Sequence, residues 1–240
     1  MHPHLIASFD TDLKALDRQV NEMAAGALGL LDQSSRALLN TDSERAQRVI
    51  AADRALDRLQ HSIEENAVAI IARRQPVAID LREIVSTIRI ANDLERIGDL
   101  AKNIAKRVIA MDQPPAITKV LPGLSPLISR VHDQLQGVVD AYGVRDDQAA
   151  LAIWRTDANI DALHTALFRE LLTYMMEDPR SIGTCAHLLF CAKNLERVGD
   201  HATNIAETVH YMITGQIIAT ERPKADESSS VDPNLEPDES

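Results

Sequence analysis

Apolar residues recur at three-to-four spacing along most of the chain, the signature of amphipathic helices. Leu13, Leu16, Val20, Met23, Ala27, Leu30 and Leu31 mark a first helix from about Phe9 to Leu39. Asn40-Thr41-Asp42 reads as a turn, and Thr41 with Glu44 has the spacing of a capping box. A second helix carries Val49, Leu56, Leu59, Ile63, Ala67 and Ile70 and stops near Arg74, because Pro76 disfavours helix at Gln75. Asp80 is then expected to cap a third helix, whose stripe is Leu81, Ile84, Ile88, Ala91, Leu94, Ile97, Ala101, Ile104 and Val108.

Gln113-Pro114-Pro115 breaks the pattern, and Pro122 and Pro126 follow. The scheme then restarts. Helices are expected from about Ser125 to Tyr142, Asp146 to Met176 and Arg180 to Thr214, with Gly215 ending the last. The expected division is a first three-helix repeat over 1–112, a linker over 113–124, a second repeat over 125–218 and a tail over 219–240. From Glu221 onward the tail holds seven acidic residues against Arg222 and Lys224, with three prolines, and reads as disordered. The fold class is all-α: six long helices in two pseudo-symmetric three-helix bundles.

Composition supports this plan. Of 240 residues, 45% are hydrophobic but only 3% aromatic, and glycine is scarce at nine, which favours helix over sheet. A net charge of -11 makes a nucleic-acid partner unexpected and suits metal cations or a basic protein surface. The two cysteines, Cys185 and Cys191, sit in an apolar helical stretch and read as small buried hydrophobes of a reducing compartment. No signal-peptide pattern and no run of membrane-spanning length is visible, so a cytoplasmic protein is expected.

The halves also match in letters. Leu94-Glu95-Arg96-Ile97-Gly98-Asp99 followed by Ala101 and Asn103-Ile104-Ala105 recurs as Leu195-Glu196-Arg197-Val198-Gly199-Asp200 with Ala202 and Asn204-Ile205-Ala206, a shift of 101 residues. Upstream, Asp53 and Asp57 are answered by Asp157 and Asp161. A repeat of this length is a duplicated domain.

Each half therefore carries two acid-x-x-x-acid pairs. Chance alone would give about five such pairs in a chain this acidic. Five occur, so their number means nothing; four at repeat-equivalent positions does. Like charges at i and i+4 share a helix face and repel, by a few tenths of a kcal/mol. A helical wheel turns Glu95 and Asp99 away from the apolar stripe, outward, and sets Asp53 and Asp57 on the flank of theirs. Two adjacent helices could join four carboxylates, a donor set for hard cations such as Mg²⁺, Mn²⁺ or iron. Arg96 and Arg197 could neutralise them instead. Gly98 and Gly199 read as positions of close helix packing.

At these residues the sequence resembles the PhoU family, bacterial accessory proteins of phosphate signalling. The resemblance runs over roughly 5–218. It is carried by the two Leu-Glu-Arg-x-Gly-Asp segments, by Arg74-Gln75-Pro76-Val77-Ala78-x-Asp80-Leu81-Arg82 and by Phe9-Asp10-x-x-Leu13. It departs at Glu177-Asp178-Pro179-Arg180-Ser181, which lacks the Gln-Pro form. The resemblance implies two three-helix bundles and a non-catalytic regulator. That regulator represses the phosphate-starvation response and restrains uptake, through the ATPase side of a phosphate ABC transporter and a sensor histidine kinase. It further implies divalent or ferric ions (Mg, Mn, Zn or Fe) at Asp53, Asp57, Glu95, Asp99, Asp157, Asp161, Glu196 and Asp200. A homodimer that meets the membrane only through its partners is the expected assembly.

Two other classes compete. A di-metal carboxylate enzyme would use Glu-x-x-His motifs, and Asp161-x-x-His164 is the nearest match. A histidine phosphotransfer protein would use His201, which Leu100 replaces in the first repeat. No nucleophile–base constellation and no phosphate-binding glycine loop is visible.

Overall fold

The computed structural model describes residues 3–111, 117–156 and 158–219. Among these, every regular element is helical: α1 Pro3–Asn40, α2 Ser43–Arg74, α3 Ile79–Ala110, α4 Ile117–Val144, α5 Asp147–Arg155, α6 Ala158–Glu177 and α7 Ile182–Thr214, with a 3₁₀ turn at Pro179–Ser181. Helices α1 to α3 form one bundle and α4 to α7 the other. The most extensive packing joins α3 to α7. These two run antiparallel: Arg82 at the start of α3 donates to the Met212 carbonyl near the end of α7, at 3.1 Å. At the other end, Arg107 of α3 lies over the Phe190 ring of α7.

The six-helix plan holds, with one division. The expected fifth helix is interrupted at Thr156, whose amide and hydroxyl both turn back to the Ile153 carbonyl, at 3.0 and 2.9 Å. Helix α4 starts eight residues before the expected Ser125, with Pro122 and Pro126 inside it. Each proline removes one backbone donor; burial of Leu121, Leu124 and Leu127 on the facing side offsets the loss. The caps also differ in detail. Asp42, not Thr41, caps α2, accepting from the Arg45 amide at 2.9 Å. Helix α3 begins at Ile79 behind Ala78, with no side-chain cap, and leaves Asp80 in its first turn. Gly215 ends α7 in the left-handed conformation, as expected. The remaining expected linker, 113–116, and the acidic tail from 220 lie outside the described residues.

The bundles are packed from both stripes. Leu94, Ile97, Ala101 and Ile104 of α3 and Leu195, Val198, Ala202 and Ile205 of α7 are all buried. Cys185 and Cys191 are buried and unlinked. Burial pushes the Cys191 thiol up to about 12, with the Arg107 charge pulling weakly the other way.

Gly98 and Gly199 do mark close approaches. A Cβ at residue 98 would overlap Leu56 Cδ2 of α2, and one at 199 would stand 2.7 Å from Ile160 Cδ1 of α6. Gly98→Val is therefore expected to destabilise by about 1–3 kcal/mol, since α2 must move off α3. Gly29→Ala, where nothing lies within 4 Å, should gain about 1 kcal/mol of helix propensity. Urea unfolding of both variants checks the contrast; equal effects would contradict the packing role of Gly98.

Candidate metal centre

The close approach at Gly98 brings the carboxylates of α2 and α3 together. They do not face outward, as one helix taken alone suggests. Asp53, Asp161 and Glu196 are buried, and Asp57, Glu95, Asp99 and Asp200 are partly so. The reason is geometric. Each third helix packs against at least three others, so the arc withdrawn from water is wider than its apolar stripe, and the carboxylates line the seam beside that stripe.

In the first repeat the seam is bridged by Lys102, which donates to Asp53 Oδ2 of α2 and to Asp99 Oδ1 of α3, each at 2.5 Å. Burial works against its ammonium charge. The hydrogen bonds and negative charge of the two aspartates outweigh that and hold the Lys102 pKa above its usual range. Arg96 stays at the rim, 3.4 Å from Glu95 and 3.6 Å from Asp99. Partial burial raises the pKa of Glu95, and the Asp99 charge adds to this. Arg96 opposes it, while Asp57 and a hydrogen bond with Asp99 reinforce it. All four first-repeat carboxylates thus share one electrostatic neighbourhood.

In the second repeat, α6 and α7 set Asp161, Glu196 and Asp200 together. Burial raises the pKa of Glu196, opposed by a hydrogen bond from Lys193 and supported by the charges of Asp200 and Asp161. Lys193 Nζ lies 2.9 Å from both Glu196 oxygens. Thr203 holds the place of Lys102 in this repeat, and buried Gln134 of α4 donates to its hydroxyl at 2.8 Å. Asp157 lies outside the described residues.

The donor chemistry fits a hard cation: carboxylates only, delivered by two helices per repeat, with Glu95 and Glu196 raised first by burial and further by the neighbouring carboxylates. Among the described residues, no three His, Cys, Asp or Glu side chains close on one point in this conformation. The first-repeat seam is satisfied by an ammonium instead. Lys102 and Lys193 escaped the reading of the sequence. The available signal was a lysine one turn from an acid, at i+3 after Asp99 and i−3 before Glu196.

The two histidines of the rival readings have other work. His201 bonds Asp93 across the α3–α7 seam at 2.8 Å, and Asn204 reaches the same oxygen at 3.4 Å. His164 is buried on α6, one turn from Asp161.

These features define a class: an all-helical protein of two duplicated three-helix units, each with a cation-neutralised carboxylate seam between its second and third helices. The PhoU domain family matches residues 20–108 and 124–209, one stretch in each repeat. A relative in Rhizobium meliloti, a phosphate-specific transport system accessory protein PhoU homolog, is 52% identical over 230 residues, covering 96% of this chain and 97% of that protein. One in Caulobacter vibrioides with the same description is 43% identical, covering 94% and 98%. The crystal structure of PhoU from Pseudomonas aeruginosa superposes with a TM-score of 0.82 at 35% identity, over 87% of this chain and all of that one. The phosphate transport system regulatory protein PhoU from Streptococcus pneumoniae gives 0.80 at 28% identity, over 88% and 100%. The chain belongs to the PhoU family.

Two outcomes test the seam. Lys102→Met leaves the buried Asp53 carboxylate without its bridge and should cost about 1–3 kcal/mol in metal-free buffer. The second concerns pH. A carboxyl whose folded pKa is raised contributes stability that is full below its unfolded pKa and is lost as pH rises through the folded value. Glu196→Gln should therefore melt higher than the wild type at neutral pH in chelator. The advantage should disappear as pH falls into the carboxylate range. A wild type that is the more stable at neutral pH would contradict the raised pKa of Glu196.

Proposed function

We propose that this chain is a non-catalytic regulatory adaptor of phosphate signalling, holding back the phosphate-starvation response and phosphate uptake when phosphate is plentiful. Its partners are the ATPase subunit of a phosphate ABC transporter and a sensor histidine kinase, and it acts as a homodimer in the cytoplasm. Membership of the PhoU family supports this reading, as does the accessory role in the names of its relatives. No helix among the described residues is long and apolar enough to cross a membrane, in keeping with an adaptor that reaches the bilayer through partners.

The observation that carries the proposal is the pair of repeat-matched carboxylate seams. An adaptor acts by preferring one state of its partner over another. Asp53, Asp57, Glu95 and Asp99 in one repeat, and Asp157, Asp161, Glu196 and Asp200 in the other, would hold divalent or ferric ions, whose positive charge offsets the clustered carboxylates. Asp53 keeps its place because α2 packs against Gly98, and Glu196 because α7 is buried on both flanks. Lys102 neutralises the first seam from within, and Lys193 reaches the second from its exposed side. The chain, with a net charge of -11, is complementary to a basic or metal-bridged partner.

Deletion of the gene should switch on a starvation-responsive reporter in phosphate-rich medium. A chain with Glu95, Asp99, Glu196 and Asp200 all replaced by Ala, verified as folded by circular dichroism and melting, should reproduce that phenotype. Normal repression in the quadruple variant would make the seams dispensable for signalling. Normal repression in the deletion strain would overturn the adaptor reading itself.

A further inference from the structure

The long antiparallel packing of α3 on α7 has two pseudo-equivalent ends, and they differ in chemistry. At one end the seam closes on itself. Asp93 accepts from Asn204 and bonds His201; Glu207 accepts from Trp154 Nε1 at 2.7 Å; Arg89 lies over the Tyr211 ring. A shift of 101 residues carries Asp93 to Asn194, Asn204 to Asn103, Glu207 to Lys106 and Arg89 to Phe190. Those positions line a cavity of about 440 Å³ at the other end, with Arg107 and Ala110.

Here nothing closes. Among the described residues, the side chains of Asn103, Lys106 and Asn194 make no hydrogen bond or ion pair, and no acid lines the cavity. Arg107 stacks on Phe190 at 4.3 Å from the ring centroid. A guanidinium so stacked keeps its in-plane N–H groups free for an anion. The Phe190 ring remains 54% exposed. Two cations without a carboxylate run against the composition of a chain with 36 acidic residues. The volume falls within the range of small-molecule sites, about 300–1,000 Å³.

We propose that this cavity, built by Asn103, Lys106 and Arg107 from the first repeat and Phe190 and Asn194 from the second, binds a nucleotide. Lys106 and Arg107 take the phosphoryl oxygens as charge-assisted donors. Phe190 offers a stacking surface to the base, which inorganic phosphate would leave unused. Asn103 and Asn194 carry both donors and acceptors for base edges or ribose hydroxyls. Because the site draws on both repeats, its occupant favours one seating of α3 against α7. The proposal is independent of the metal reading.

The test is calorimetric titration of the full chain with AMP, and in parallel with inorganic phosphate, both in chelator so that no metal bridge at the carboxylate seams can supply binding. AMP should bind saturably and more tightly than inorganic phosphate. Lys106→Glu and Asn194→Asp, the latter installing the acid that the other end carries, should each weaken AMP by about tenfold or more. Phe190→Ala should weaken AMP while leaving inorganic phosphate unchanged. Arg89→Ala, at the closed end, should leave AMP binding as in the wild type. Melting curves of all four variants establish that they are folded, and Asn194→Asp, nearly isosteric, keeps the test valid if Phe190→Ala fails to fold. Overturning results are no saturable AMP binding, binding indifferent to Lys106→Glu and Asn194→Asp, or inorganic phosphate bound as tightly as AMP with no effect of Phe190→Ala.

Discussion

Helix α2 packs closely on α3 where residue 98 has no side chain. Leu56 fills the space that a Cβ would need, and the same approach carries Asp53, one turn before Leu56, into reach of Lys102 and Asp99. The second repeat repeats the device with Ile160 against Gly199, beside Asp161 and Glu196. Packing energy thus holds together carboxylates that repel one another. A leucine and a glycine set the distance, and the charges must accept it. Burial in the seams raises the pKa values of Glu95 and Glu196, and the charges of the neighbouring carboxylates add to it.

The neutralising groups differ between the repeats. Lys102 follows its motif and bridges two helices, whereas Lys193 precedes its motif and reaches Glu196 from the outer side. Buried Gln134 and Thr203 form a neutral polar pair where the first repeat has Leu30 near Gly98 and Lys102. The duplicated scaffold therefore carries two seams of similar acid content and unlike counter-charge. The same divergence appears at the two ends of the α3–α7 packing, one tied shut by Asp93 and His201 and the other left open and cationic.

Much of this was legible in the chain. Periodicity gave the helices, since a stripe such as Leu94, Ile97, Ala101 and Ile104 is a local property. The repeat gave the pairing of the acids, because equivalent positions in duplicated units share an environment. What was not legible depended on neighbours. A wheel drawn for α3 alone turns Glu95 outward, yet α2 covers that flank. Lys102 looks like one more surface lysine until α2 places Asp53 opposite it. The α4 start was hidden because prolines argue against helix, while buried Leu121, Leu124 and Leu127 hold it in place. The break at Thr156 gave no Pro or Gly signal, as its hydroxyl replaces the missing helical partner locally.

Packing crowds these carboxylates, and on the proposed reading a metal cation relieves the crowding. The most direct measurement is the melting temperature of chelator-stripped protein with and without Mn²⁺, for the wild type and for a chain with Asp53→Asn, Glu95→Gln, Asp99→Asn, Asp161→Asn, Glu196→Gln and Asp200→Asn. Mn²⁺ should raise the melting temperature of the wild type and leave the substituted chain unmoved. A wild type indifferent to Mn²⁺, or an equal rise in both chains, would contradict the account.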